Sequence, residues 1–183
     1  MKNTIKLAAA MGLILLQAPA FAQQEEAPTP TPKACPAGPG FDDFDFWVGD
    51  WKVTTMDEGV YVGDNTITKV ADGCVLLEDW NGIQNARGYS INYFNLSSQK
   101  WRQVWVDNAG YSIDYEGELV EGAMVMTGTF FSHGSGATMG FRGTWTPLEN
   151  GDVRQTFEFQ NPEDGTWKVN WDARYSSKSV TNK

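Results

Sequence analysis

The chain has 183 residues, with 41% hydrophobic and 20% charged side chains, a balance that suits one domain with a full core. Its formal net charge is −9, from 14 Lys and Arg against 23 Asp and Glu, which argues against nucleic acid and anionic membranes, since both reward clustered basic residues. Two Cys and one His at these separations cannot assemble a metal site, and no cofactor is expected.

Residues 1–22 read as a cleaved signal peptide. Lys2 and Lys6 open it, the apolar run Leu7 to Leu16 is too short to span a bilayer, and Ala20-Phe21-Ala22 supplies the small-x-small cut. Cleavage after Ala22 places the mature protein in the periplasm or outside the cell, and no later segment is apolar enough to cross a membrane. Residues 23–40 hold most of the prolines and no hydrophobic periodicity, so a disordered or extended leader is expected. In an exported chain Cys35 and Cys74 are expected to pair. Bridging them closes a loop of about 40 residues and stabilises by roughly 4 kcal/mol on the chain-entropy model. The alternative is a free thiol at each, with Cys74 a small buried apolar side chain.

A single domain is expected over residues 41–178, followed by a disordered tail at 179–183. It opens on FDDFDFWVG, which reads as a short helical turn stopped by Gly49, its aromatics plugging one end of the downstream strands. Ten runs rich in Val, Thr, Tyr, Phe and Trp come next, each bounded by Gly, Asn, Asp or Ser. They are placed at Asp50 to Met56, Tyr61 to Val70, Cys74 to Asn81, Gly88 to Asn95 and Trp101 to Asp107. The remainder span Ser112 to Leu119, Ala123 to Phe131, Thr138 to Pro147, Val153 to Gln160 and Trp167 to Ser176. Glu121-Gly122, Asn150-Gly151 and Asp164-Gly165 read as two-residue hairpins and Asn108-Ala109-Gly110 as a three-residue one. Connections this short impose sequential antiparallel pairing, and a meander of this length closes to abolish its edges. The fold class is therefore all-β, an antiparallel up-and-down barrel of about ten strands with an N-terminal helical plug. In the last strand Trp167, Val169, Trp171, Ala173 and Tyr175 alternate cleanly with polar residues, so that aromatic face is expected in the core. The runs around Leu76 and Trp101 are apolar on both faces and do not say which points inward.

The ordered blocks FDFWVGDW, DGCVLLEDW, GYSINYF, WRQVWVD and GAMVMTG resemble those of a family of exported bacterial proteins of unknown function. The resemblance covers nearly all of the domain and implies a lipocalin-like or calycin-like barrel with no established activity. Gly49-Asp50-Trp51 is similar to the glycine-x-tryptophan signature that opens the first lipocalin strand. A distant similarity extends to the haem-binding barrels called nitrobindins, which need a proximal His. The only His here is His133, in FSHGSG, which reads as a turn.

A barrel of about ten strands is wide enough to keep a cavity, and aromatic walls with a few fixed polar groups make a small-molecule pocket. The candidate ligand-binding residues are Trp101, Gln103, Trp105 and Asp107 on one face of the fifth strand, with Glu78 and Trp80 beside them. Arg154, if it faces inward, would take an anionic head group. The expected occupant is a small apolar or amphipathic molecule, held and not turned over. Alternatively, tryptophans on the outside would form a platform for sugars or a protein partner. Paired-carboxylate chemistry would need Glu78 with Asp107 or Glu158 at a defined separation, and His133 on a Gly-rich turn makes a poor general base. No catalytic residue is assigned.

Overall fold

A computed structural model describes Cys35, Gly38 and residues 40–178. The expected signal peptide, most of the leader and the tail lie outside the described residues. Ten strands follow one another: β1 (Gly49–Thr55), β2 (Tyr61–Val70), β3 (Val75–Gly82), β4 (Arg87–Asn95), β5 (Lys100–Asp107), β6 (Tyr111–Val120), β7 (Ala123–Ser132), β8 (Ala137–Pro147), β9 (Val153–Gln160) and β10 (Trp167–Ser177). Each pairs antiparallel with its sequence neighbours, and β1 closes on β10 from Trp51↔Ser177 to Thr55↔Ala173. The result is a closed barrel, and each expected strand lies within a residue or so of the observed one.

Turn chemistry explains most of the pairing. Glu121 and Gly122 both take positive φ, 50° and 85°, as a two-residue hairpin with the right twist requires. The connections at Asn150-Gly151 and Asp164-Gly165 are longer than expected. There the side chains of Asn150, Asn161 and Asp164 accept backbone N–H groups two residues on, so Asx turns shape both connections.

The plug forms as one 3₁₀ turn, Asp45–Trp47, and Val48 is already extended, so Gly49 opens β1 and does not terminate a helix. Phe44 and Trp47 are fully buried. Phe44 stacks on Trp47 at 4.9 Å and meets Trp101 and Trp145 edge-on. Two barrel indoles donate to backbone carbonyls of this segment, Trp51 Nε1 to Trp47 O at 2.9 Å and Trp101 Nε1 to Gly40 O at 2.6 Å. From β2, Lys69 Nζ reaches Asp45 at 2.6 Å. The Cys35–Cys74 disulfide is formed, its Cα atoms 5.0 Å apart, and it ties the approach to the plug to the start of β3.

Two strand faces depart from simple hydrophobic alternation. Between Val169 and Trp171 the β10 register slips against β9, so Asn170 is an extra residue and facing inverts on either side of it. Trp171, Ala173 and Tyr175 pack inward as expected. Val169 is instead exposed, and Trp167 lies under the outer-wall guanidinium of Arg142 at 4.6 Å. The second departure is β4, which turns Ser90 and Asn92 into the barrel and leaves Tyr89 and Ile91 about half exposed on the outside.

Candidate functional site

The inverted face of β4 belongs to a belt of polar side chains around the barrel interior. Asn65 on β2, Glu78 on β3, Ser90 and Asn92 on β4, Gln103 on β5 and Tyr115 on β6 are all buried. Cross-strand register makes them neighbours, since Glu78 sits opposite Ser90 and Asn92 opposite Gln103. Asn65 Nδ2 donates to Glu78 Oε1 at 2.7 Å, and Ser90 Oγ donates to Oε2 at 2.5 Å. Asn92 Nδ2 donates to Ser90 Oγ at 2.8 Å and to Leu76 O at 3.1 Å. Gln103 Nε2 donates to Asn92 Oδ1, and Tyr115 donates its hydroxyl proton to Gln103 Oε1. Across the barrel, Gln155 Oε1 accepts from Tyr175 OH at 2.7 Å and from Trp171 Nε1 at 3.0 Å. Most of these buried polar groups are tolerated because they pair with one another, the exception being Asn65 Oδ1, which has no partner.

On the plug side of the belt the interior is filled, by Phe44, Trp47, Trp101, Trp145, Met124 and Met126 among others. Beyond the belt lies a cavity of about 340 Å³. Its deep wall includes Glu78, Gln103, Gln155 and Tyr175, and Trp80, Trp105, Phe130, Phe159 and Trp171 line it nearer the strand ends away from the plug. Two of these indoles lie over glycines. A Cβ on Gly88 would come within 2.1 Å of the Trp105 ring, and one on Gly82 or Gly63 within 2.7 or 2.8 Å of Trp80. The missing side chains let both rings approach the backbone closely, which leaves more of the space between them open.

Glu78 is the one carboxyl in the lining. Burial pushes it up from 4.5 to about 7, against the pull of its hydrogen bonds from Ser90 and Asn65. None of the ion pairs among the described residues includes it. Tyr115 and Tyr175 are held neutral, burial raising both and the nearby Glu78 charge adding to it.

Four of the residues expected at a binding site meet here: Glu78, Trp80, Gln103 and Trp105. Three do not line the cavity. Trp101 shares an inward face with Trp105 but sits at the plug end, buried against Phe44. Asp107 accepts the backbone N–H groups of Ala109 and Tyr111, both at 2.9 Å, and so holds the β5–β6 turn. Arg154 faces outward between the buried Val153 and Gln155, and its guanidinium clasps Asp172 through two bonds of 2.8 and 2.7 Å. Of the carboxylates considered for catalysis with Glu78, Glu158 likewise faces outward, bound to Arg142. His133 lies exposed in the β7–β8 turn.

Sequence reasoning did not single out Asn65, Ser90, Asn92 or Gln155. On β4 the apolar Tyr89 and Ile91 make the alternating Ser90 and Asn92 read as the solvent face, whereas Asn65 and Gln155 share inward faces with Ile67 and Phe157. Among the described residues no group of three or more His, Cys, Asp or Glu side chains is placed to hold a metal ion, and no helix is long and apolar enough to cross a membrane. No protein-family model matches the chain, and a comparison with curated proteins finds no significant match.

Proposed function

We propose that this protein is an exported binding protein that holds a small apolar or amphipathic molecule in the unplugged half of its barrel, as a carrier and not as a catalyst. The observation that carries the reading is the cavity of about 340 Å³, a size at which small-molecule sites begin, walled by aromatics and floored by fixed polar groups. Its glycine shelves support the same reading, because β4 and β3 surrender side-chain packing where the rings need room. Export is supported by the Cys35–Cys74 bridge, since disulfides persist in oxidising compartments, and by the signal-peptide pattern of residues 1–22. The resemblance to exported lipocalin-like barrels points the same way.

A sugar or protein platform built from surface indoles has less in its favour. Seven of the eight tryptophans pack into the interior, and the eighth, Trp167, is covered by Arg142.

The test is a fluorescence titration with the neutral apolar dye N-phenyl-1-naphthylamine, on the wild type and on Ile113→Trp. Ile113 lines the cavity and is nearly buried, so an indole there occupies the free volume. Dye emission should rise with the wild type and stay flat with a folded Ile113→Trp. Equal binding by both proteins would place the dye elsewhere and refute the reading.

A further inference from the structure

The cavity's chemistry is one-sided. Its lining contains no Lys, Arg or His, so nothing in it compensates an anionic head group. Of its deep polar groups, Gln103 both donates to Asn92 and accepts from Tyr115, and the acceptor oxygen of Gln155 is taken by two donors. Glu78 differs. Each of its oxygens accepts a single donor, leaving about two of a carboxylate's four acceptor positions unused, and no cation stands opposite it. Asn65, which donates to it, also has a buried Oδ1 with no partner. The belt is therefore short of donors and of positive charge at one point, next to a space walled by indole and phenyl rings.

We infer that the ligand is a cationic amine with an aromatic or other apolar body, its ammonium paired with the Glu78 carboxylate and its body packed between Trp80, Trp105 and Trp171. This rests on the cavity being a binding site and names the class of molecule it takes. An ammonium brings N–H donors and the missing charge together, and in a water-poor site such a charge-assisted bond is about twice as strong as a neutral one. Indole faces add attraction for the cation, and the acidic chain, at −9, draws cations toward it. Fatty acids and other carboxylates are selected against, because their head group would face Glu78 with nothing to offset the repulsion.

Binding also moves a proton. With Glu78 at about 7 when the site is empty, much of the protein carries a neutral carboxyl below that pH. The incoming ammonium then forms its ion pair as Glu78 Oε–H loses its proton to solvent, with one proton released per amine bound. The other titratable groups facing Glu78 are Tyr115 from β6 and Tyr175 from β10, both neutral throughout. From β2 and β4 it meets only Asn65 and Ser90, which do not titrate. Amine affinity should therefore fall about tenfold per unit as the pH drops below 7, while a neutral analogue keeps its affinity.

Calorimetric titration with matched head groups tests this: tryptamine against tryptophol and indole-3-acetate, and 2-phenylethylamine against 2-phenylethanol and phenylacetate. At pH 8 each amine should bind at least tenfold tighter than its alcohol, and the carboxylates weakest. Glu78→Gln should remove the amine's advantage over its alcohol. The pH series on the wild type probes the same ion pair without a variant. Alcohols binding as tightly as amines, an advantage that survives Glu78→Gln, or a pH-independent amine affinity would each overturn the inference while the cavity remains a binding site. Failure of all six compounds together with the naphthylamine dye would overturn both.

Discussion

The two halves of the barrel interior are built from the same kinds of side chain and end in opposite states. In the plugged half, Trp47, Trp101 and Trp145 are packed to burial against Phe44. In the other half, Trp80, Trp105 and Trp171 stand around empty space, Trp80 and Trp171 meeting edge-on at 6.3 Å. The wall is continuous, and Trp101 and Trp105 are four residues apart on one strand. What separates them is the segment around Phe44 and Trp47, which fills one end, and the polar belt, which marks where filling stops. An indole on an inward face is thus core or cavity wall according to what the chain supplies in front of it.

Substitutions in the two halves should therefore have opposite consequences. Trp47→Ala empties the packed half and should cost about 5 kcal/mol of unfolding free energy, the upper end for a buried aromatic, measured by urea denaturation. Reducing the Cys35–Cys74 bridge, which ties down the same end, should cost about 4 kcal/mol yet leave dye binding in the folded protein intact. An unchanged melt after reduction would remove the staple from the plug's support.

Glu78→Gln probes the belt between the halves, and its sign follows from the direction of the shift. Glu78 holds its proton more tightly folded, at about 7, than at its ordinary 4.5. Between these values the native state binds more protons than the unfolded one, so this group's contribution to stability falls as the pH rises. Glu78→Gln should therefore match the wild type below pH 4.5, gain as the pH climbs, and be more stable by roughly 3 kcal/mol above pH 7. The glutamine amide can donate to Asn65 Oδ1, which lacks a partner, once the Asn65 amide turns over. A variant less stable than the wild type at pH 8 would mean the carboxylate is held by compensation not seen in its hydrogen bonds.

The smallest stability effect belongs to the hollow half. Trp80→Ala should cost about 1 kcal/mol, because a half-buried ring beside a void forfeits fewer contacts, but dye affinity should fall at least tenfold. Gly88→Ala should likewise impair binding, since its Cβ would drive Trp105 off the wall and into the cavity.

The barrel itself was legible in the chain because alternation, β-rich composition and turn residues all agree from Gly49 to Ser177, and Cys35 and Cys74 pair as an exported sequence suggests. The site was half legible. Glu78, Trp80, Gln103 and Trp105 stand out as polar and aromatic residues on shared faces, but nothing local separates Trp105 from Trp101, whose fates differ only through Phe44 more than fifty residues away. Arg154 misleads until the burial of Val153 and Gln155 fixes the facing of β9. Strand β4 inverts the usual pattern, showing Tyr89 and Ile91 to the outside so that Ser90 and Asn92 can complete the belt. The slip at Asn170 leaves no mark in the composition of β10. The β4 inversion and the slip at Asn170 both lie where the barrel interior changes from packed core to polar belt and cavity.

The most direct test of a barrel packed at one end and hollow at the other is a two-dimensional NMR titration of the eight indole N–H signals, assigned by single Trp→Phe variants, with 2-phenylethylamine as ligand. The signals of Trp80, Trp105 and Trp171 should move together and saturate, while those of Trp47, Trp51, Trp145 and the outer Trp167 stay in place. Shifts confined to Trp167, or spread equally over the plug tryptophans, would contradict it.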